Sequence, residues 1–188
     1  RGIVHRAVKP SNLSLDRHGR LRILDFGLAR QEGLESLTAT DAAVGTPLYM
    51  SPEQAQAKRV PIDRRTDVYS LGATLYEMLT LHPPFEGRTP QETLSQIVSR
   101  DPDPPRRRQP KVPRDLETIV LKCLHKDPMD RYRTAEALAQ DLRRFYRGDP
   151  IEARPLTRLE ALGRRLWRKR VAFAAVAAGA DGLIVEVH

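Results

Sequence analysis

Cysteine and aromatic residues are both scarce in this chain of 188 residues. Cys123 is the single cysteine, and aromatic residues make up 5% of the sequence. One cysteine excludes an intramolecular disulfide framework and is typical of a reducing compartment. Because Cys123 lies in the apolar phase of a predicted helix, we expect a buried structural thiol. No secretory signal pattern opens the chain, so a cytoplasmic location is expected.

Long apolar runs are scarce as well. The run at residues 171–180 ends where Asp181 interrupts it, and ten residues are too few for a membrane-spanning helix, which needs about 20. We therefore expect no complete membrane span in this sequence.

Positive charge, by contrast, is plentiful and unevenly placed, with a formal net charge of +8. Basic residues crowd residues 154–170, where Glu160 is the one acidic residue, and Arg106–Arg108 form a second cluster. Such a run is compatible with a solvated face, a juxtamembrane anchor or a nucleic-acid contact. Apart from Trp167 no aromatic residue is interleaved with the basic run, so we expect no nucleic-acid partner. A hydrophobic content of 40% with 30% charged residues indicates a globular domain.

The first third of the chain has the pattern of short strands and loops. Residues 1–5 are typical of a short strand that enters a loop. Residues 13–15 and 21–24 alternate around the turn residues at 16–19, which predicts a β-hairpin. Residues 28–50 lack a sustained period and are predicted to form a long functional loop.

The rest of the chain has helical periodicity. A helix over 66–80 is predicted to be central, because apolar residues cover much of its circumference. Thr89 and Glu92 predict the capped start of a second helix, and the five prolines of 101–113 predict a wrapped loop. A third helix follows, and Thr134 is predicted to cap the last one. The residues expected on the buried faces are Val68, Leu71, Leu75, Met78 and Leu79 in the first helix, with Ala73 and Tyr76 widening that face, Leu116, Ile119, Val120, Cys123 and Leu124 in the third, and Ala135, Leu138, Leu142 and Phe145 in the last.

Three motifs occur in order: His5-Arg6-Ala7-Val8-Lys9-Pro10-Ser11-Asn12, then Asp25-Phe26-Gly27, then Ser51-Pro52-Glu53. Together they resemble the catalytic loop, metal-binding turn and end of the activation segment of a serine/threonine protein kinase. The resemblance implies an α+β protein kinase-like fold, of which residues 1–150 would form the C-terminal lobe. That lobe is mostly helical with a small β-hairpin.

The family resemblance implies phosphoryl transfer from ATP to serine or threonine of a protein. Asn12 and Asp25 match the two positions that bind Mg²⁺, and both offer the hard oxygen ligands that this ion prefers. Lys9 matches the residue that meets the transferred phosphate. Thr46 matches the threonine of the substrate-binding loop that accompanies that lysine, and both indicate Ser/Thr substrates.

Ala7 departs from the family pattern. The family has an aspartate at this position, which orients the substrate hydroxyl and accepts its proton, and a methyl group can do neither. We therefore expect this chain to be inactive as a kinase. An engineered inactivation and a natural loss both remain open as the origin of Ala7.

Other matches imply structural roles. In the family, residues matching His5 and Phe26 stack in a hydrophobic column beside Gly27, and the residue matching Asp67 ties down the catalytic-loop backbone. Glu53 and Arg131 match a buried ion pair that joins the activation segment to the helical subdomain.

Arg6 matches the residue that pairs with a phosphorylated activation loop in related kinases. Thr38 and Thr40 lie eight and six residues before Thr46, a spacing that resembles the paired phosphothreonines of bacterial receptor-like kinases. We expect phosphate there to order the loop against Arg6.

No glycine-rich loop of the form G-x-G-x-x-G and no other small-lobe motif occurs in the 188 residues. We therefore expect weak ATP binding by this chain alone. The alternative to a disabled enzyme is a pseudokinase-like module that binds a protein substrate or partner through the activation segment and helical subdomain.

The C-terminal residues have resemblances of their own. Residues 151–170 resemble the basic juxtamembrane linker of planctomycete-type bacterial kinases, whose parent protein would be anchored in the inner membrane with a cytoplasmic kinase domain. Residues 171–188 form an apolar tail that resembles a piece of the barrel enzyme DAHP synthase and is interpreted as a possible fusion scar.

Overall fold

A computed structural model describes residues 3–24, 30–31, 47–56 and 62–153 of the chain. Two units are distinguished, Arg1–Ala139 and Gln140–His188. The described strands are β1 (Ile3–Val4), β2 (Leu13–Leu15), β3 (Leu21–Ile23) and β4 (Arg30–Gln31). The described helices are α1 (Pro52–Ala55), α2 (Arg65–Thr80), α3 (Pro90–Ser99), α4 (Pro105–Arg108), α5 (Arg114–Cys123) and α6 (Ala135–Arg147), with 3₁₀ turns at Pro10–Asn12, Pro47–Tyr49 and Pro128–Asp130.

The predicted hairpin is confirmed. Strands β2 and β3 pair antiparallel with Ser14 opposite Arg22. Asp16 closes the turn by accepting the backbone N–H groups of His18 at 2.9 Å and Arg20 at 3.0 Å. A second antiparallel pair joins β1 to β4. Strand β4 lies within residues 28–50, which were predicted to form a long loop. The fold is therefore mostly helical with small two-stranded sheets, as expected of a kinase-like C-terminal lobe.

Helix α2 is central, but its predicted apolar face is partly wrong. Met78, predicted to be buried, is 66% exposed, and Tyr69, which was not predicted, is fully buried. The predicted burial of Val68, Ala73 and Tyr76 is confirmed. Buried hydroxyls complete the face: Thr74 and Thr80 each donate to the carbonyl four residues back, at 2.9 Å. Because these hydroxyls form hydrogen bonds within the helix, they can be buried like apolar groups. A prediction of the buried face from apolar residues alone therefore misses them. The core around α2 consists of Tyr69, Ala73, Tyr76, Phe85, Ile97, Val120 and Leu124.

Helix α3 begins as predicted at Pro90, with the Thr89 hydroxyl accepting the Glu92 N–H at 3.1 Å. The Glu92 carboxylate returns to the N–H of Arg88 at 2.8 Å, one residue before the cap. Lys126 supports the other end of α3 by donating to the Ile97 carbonyl at 2.6 Å. The predicted wrapped loop 101–113 contains one helical turn, α4, because the pyrrolidine ring of Pro105 suits the first position of a helix.

Helix α5 has the predicted buried stripe of Ile119, Val120 and Cys123, followed by buried Leu124. The prediction that Cys123 is buried is confirmed. Leu116 is half-buried.

Gly72 allows α2 and α5 to approach closely. A Cβ atom at Gly72 would overlap the Cβ of Cys123 at a separation that real Cβ atoms do not reach. Since the neighbour is the rigid start of a buried side chain, the two helices would have to separate.

We expect Gly72→Ala to lower the free energy of unfolding by about 1–3 kcal/mol, the usual cost of overpacking a core. Denaturant titration of the parent and variant measures it. Cys123→Gly removes the opposing Cβ, so Gly72→Ala should cost less in a Cys123→Gly background. An equal cost in both backgrounds would contradict this contact as the cause.

Thr134 caps α6 by accepting the Ala137 N–H at 3.1 Å, as predicted. Of the four residues predicted to face inward, Leu138 is buried, Leu142 and Phe145 are half-buried, and Ala135 is exposed. The Ala135 prediction is wrong because the first turn of the helix is open to solvent.

Within the second unit, buried Asp141 accepts the N–H groups of Glu152 at 2.6 Å and Ala153 at 2.9 Å. These bonds hold the chain that follows α6 against the helix. The basic stretch 154–170 and the tail 171–188 lie outside the described residues. No helix in the described part of the chain is long and apolar enough to cross a membrane.

Candidate active-site loop

The loop that follows β1 is anchored to the first turn of α2. Asp67 accepts the backbone N–H of His5 through Oδ2 and that of Arg6 through Oδ1, both at 2.8 Å. Burial raises the pKa of the Asp67 carboxyl, and the two N–H groups oppose that rise. One carboxylate thus fixes two consecutive peptide groups just before Ala7.

Arg6 has a left-handed backbone, with φ of 66°. A residue with a Cβ atom adopts this conformation at a cost of roughly 1–2 kcal/mol, so surrounding contacts must hold it. The Asp67 carboxylate binds its N–H, and the Gln54 amide donates to its carbonyl at 3.1 Å. The Ala7 N–H in turn donates to Nδ1 of His5 at 3.3 Å.

Asn12 lies at the end of the 3₁₀ turn after Lys9 and is buried. Its Nδ2 donates to the Ala7 carbonyl at 2.8 Å, which fixes the amide so that Oδ1 is the atom available for a cation. Its backbone carbonyl accepts the N–H of Leu24 at 2.8 Å, and Leu24 is the residue directly before Asp25 in the sequence.

The Asn12 amide oxygen is a hard ligand of the type that Mg²⁺ accepts, an ion that uses few protein oxygens and retains waters. No group of three or more His, Cys, Asp or Glu side chains that could hold a metal occurs among the described residues.

Glu53 and Arg131 form a bidentate buried ion pair. Nη1 and Nη2 of the guanidinium donate to Oε1 and Oε2 at 2.7 and 2.8 Å, and both side chains are almost fully buried. The Thr66 hydroxyl also donates to Oε1 at 2.7 Å. Burial alone would raise the Glu53 pKa, but the hydrogen bonds and charge of Arg131 outweigh it and hold that pKa below its usual value.

All five guanidinium donors of Arg131 are used. Besides Glu53, they reach three backbone carbonyls, those of His125 at 2.7 Å, Lys126 at 3.0 Å and Arg65 at 3.1 Å. Arg131 thus ties α1, the start of α2 and the turn after α5 together.

Tyr49 connects the segment before α1 to α2. Its hydroxyl donates to Oε2 of Glu77 at 2.5 Å, and its carbonyl accepts the Ser70 hydroxyl at 2.9 Å. Burial, followed by the hydrogen bond and charge of Glu77, raises the pKa of Tyr49 strongly. The phenol therefore stays protonated and continues to donate.

The structure places His5, Arg6, Ala7, Lys9, Asn12 and Asp67 around one loop, and it joins Glu53 to Arg131 near Thr66. Six predicted site residues lie outside the described residues: Asp25, Phe26, Gly27, Thr38, Thr40 and Thr46.

Sequence reasoning missed Gln54, Tyr49 and Glu77 as contacts of this region. Gln54 had one local signal: it stands three residues after Ser51, the spacing of a capping box, and both reciprocal bonds form. Its third bond, to Arg6, had no such signal, because the partners are 48 residues apart.

We expect Asp67→Asn to lower the free energy of unfolding by about 1–3 kcal/mol, because an amide cannot accept both the His5 and Arg6 N–H groups. Denaturant titration measures the loss, and amide hydrogen exchange of His5 and Arg6 should quicken. Asp127→Asn is the matched control, since asparagine can still cap the 3₁₀ turn by accepting the Met129 N–H that Asp127 binds at 2.7 Å. Equal losses for the two variants would contradict the anchoring role.

Comparisons with known proteins show which family the chain is similar to. The protein kinase domain family matches residues 1–142. The serine/threonine-protein kinase PknB of Mycobacterium tuberculosis is 46% identical over 154 residues, which cover 81% of this chain and 24% of PknB. A probable serine/threonine-protein kinase of Streptomyces coelicolor is 42% identical over 154 residues, covering 81% of this chain and 23% of that protein. The chain spans about a quarter of the length of these relatives.

Proposed function

Since this chain belongs to the protein kinase family and is homologous to bacterial serine/threonine kinases, we propose that its loop is built for phosphoryl transfer from ATP to protein Ser/Thr and is disabled at Ala7. One observation carries the proposal. The backbone around position 7 is held by Asp67, His5 and Asn12, yet the side chain there is a methyl group.

The remaining residues suit the family chemistry. Asn12 and Asp25 would hold Mg²⁺, and the ion would neutralise phosphate charge when ATP is bound. Lys9, half-buried at the start of the 3₁₀ turn, would meet the transferred phosphate. Thr46 would belong to the substrate-binding loop, close to the hydroxyl that receives the phosphate, which favours Ser/Thr proteins as substrates.

The missing step is proton acceptance. An aspartate at position 7 would orient the attacking hydroxyl and take its proton as the oxygen bonds to phosphorus. Ala7 can neither orient that hydroxyl nor accept its proton, so turnover would be lost at this step.

Thr38 and Thr40 are proposed activation-loop phosphorylation sites, with Arg6 as the cation that would receive the phosphate. Arg6 is half-buried in the loop and follows His5 directly. Phosphate at either threonine would add about −1.5 to −2 charges next to this guanidinium.

The second candidate is a pseudokinase-like module that binds a protein partner. Ala7 favours it, because a scaffold kept intact around an inert residue suits binding without turnover. The activation segment and helical subdomain would form that surface. Residues 151–170 would be a linker towards a membrane anchor in a parent protein with a cytoplasmic kinase domain, and 171–188 a fusion scar.

One experiment separates the two candidates. The chain, carrying Ala7→Asp, is joined behind the small lobe of its mycobacterial relative, and transfer of labelled phosphate to a Ser/Thr peptide is measured. Transfer that depends on the aspartate supports a disabled enzyme. No transfer by the folded, ATP-binding chimera would overturn that proposal and favour the binding module.

A further inference from the structure

Gln54 uses both ends of its side-chain amide. Its Oε1 accepts the backbone N–H of Ser51 at 3.1 Å and the Ser51 hydroxyl at 3.2 Å. Its Nε2 donates to the carbonyl of Arg6 at 3.1 Å. One side chain therefore closes the start of α1 and also reaches the loop that contains Ala7.

The bond to Arg6 acts on the peptide group that leads into residue 7. The Arg6 carbonyl and the Ala7 N–H belong to one planar unit, so holding the oxygen restricts rotation of that plane. Asp67 holds the preceding N–H, and His5 Nδ1 accepts the Ala7 N–H at 3.3 Å. The left-handed φ of Arg6, 66°, is therefore fixed from both sides, and with it the direction of the Cβ atom at position 7.

The other end of the amide belongs to the segment after the proposed substrate loop. Ser51 follows the 3₁₀ turn Pro47–Tyr49 and caps α1 with full burial. Tyr49 and Glu53 hold this segment on α2 and Arg131. A displacement of residues 47–56 would pull the Gln54 amide away from the Arg6 carbonyl.

We propose that Gln54 is a positioning residue that couples residues 47–56, the segment after the proposed substrate-binding loop, to the orientation of the residue at position 7. This rests on the proposed function for its consequence in catalysis, but the coupling itself is a property of the chain as it stands. Gln54 touches no reacting atom and acts through the Arg6–Ala7 peptide.

Two variants separate this role from helix capping. Gln54→Glu keeps an oxygen for the Ser51 N–H but places a second oxygen against the Arg6 carbonyl. Ser51→Ala removes the capping hydroxyl while the Ser51 N–H and the Gln54–Arg6 bond remain. Both changes affect the start of α1, but Gln54→Glu alone breaks the link to the loop.

The first readout is the backbone amide of Ala7 in the chain itself, by ¹H–¹⁵N resonance position and hydrogen exchange. We expect Gln54→Glu to shift the resonance and speed exchange, and Ser51→Ala to leave both close to the parent. Gln54→Met, which has no donor, serves if the carboxylate prevents folding. An unchanged Ala7 amide in the Gln54 variants, or equal changes in Ser51→Ala, would overturn the proposal.

The second readout is turnover in the chimera repaired with Ala7→Asp. Misplacement of a catalytic group by about 1 Å can cost about 100-fold, so we expect Gln54→Glu to lower kcat by up to that factor with KM for ATP unchanged. Ser51→Ala should retain kcat. If the repaired parent itself transfers no phosphate, the proposed function fails, and the Ala7 amide alone decides the role of Gln54. A rise in KM for ATP with unchanged kcat would overturn the positioning role.

Discussion

Replacing Ala7 by aspartate is expected to raise phosphate transfer by about 10²- to 10⁴-fold, the usual contribution of a positioned general base. The chain should accommodate the larger side chain, because the contacts that place residue 7 are backbone contacts. Asp67 and Asn12 bind peptide groups on either side of it, and none of the bonds requires a methyl group. The rate is measured in the chimera that carries a small lobe, with labelled ATP and a Ser/Thr peptide.

Ala7→Asn is the matched control for this change. Asparagine has nearly the size and shape of aspartate and can hydrogen-bond the substrate hydroxyl, but it cannot take up the proton at neutral pH. Transfer should rise strongly with aspartate and little with asparagine. Equal rates for the two variants would show that position 7 contributes packing or orientation and not proton acceptance.

Arg131→Met is expected to lower the free energy of unfolding by about 3–5 kcal/mol, because it strands the buried Glu53 carboxylate. Among the described residues, the Thr66 hydroxyl would be the side-chain donor left to that carboxylate, and one hydroxyl cannot compensate a buried charge. Losing the guanidinium also leaves the carbonyls of His125, Lys126 and Arg65 without these donors. Denaturant titration of the chain measures the loss.

The double variant Glu53→Gln with Arg131→Met tests whether the charge is the cause. A neutral amide at position 53 removes the stranded charge, so the double variant should be more stable than Arg131→Met alone. Additive losses would contradict a coupled pair and assign the cost to the backbone contacts of Arg131.

The same pair gives a pH dependence of known sign. The pKa of Glu53 is lowered in the folded chain, so the unfolded chain binds the proton more readily. The stabilisation by ionised Glu53 is present above the pKa of a glutamate in the unfolded chain, about 4.3, and is lost as the pH falls through the lower pKa of Glu53 in the folded chain. The difference in unfolding free energy between the parent and Glu53→Gln should therefore shrink in acid. Asp67, whose pKa is raised, should give the opposite dependence of the unfolding free energy on pH. Both chains contain Asp67, so its contribution cancels in the difference.

Much of the local structure could be predicted from the order of residues alone. The hairpin at 13–24, the Thr89 cap and the buried stripe of α5 depend on residues within a few positions of one another, and periodicity reports those directly. The buried face of α2 was harder. Met78 fits an apolar stripe, but tertiary packing placed it in solvent and buried Thr74 and Thr80 instead.

The sequence by itself determined the family of this protein and the presence of alanine at position 7, because ordered motifs and residue identity are independent of packing. Only the tertiary structure decided how the loop is held. The bonds from Gln54 to Arg6 and from Asp67 to His5 join residues 48 and 62 positions apart. Such pairs have no local pattern, since a side-chain amide or carboxylate acquires a distant backbone partner only when the chain has folded.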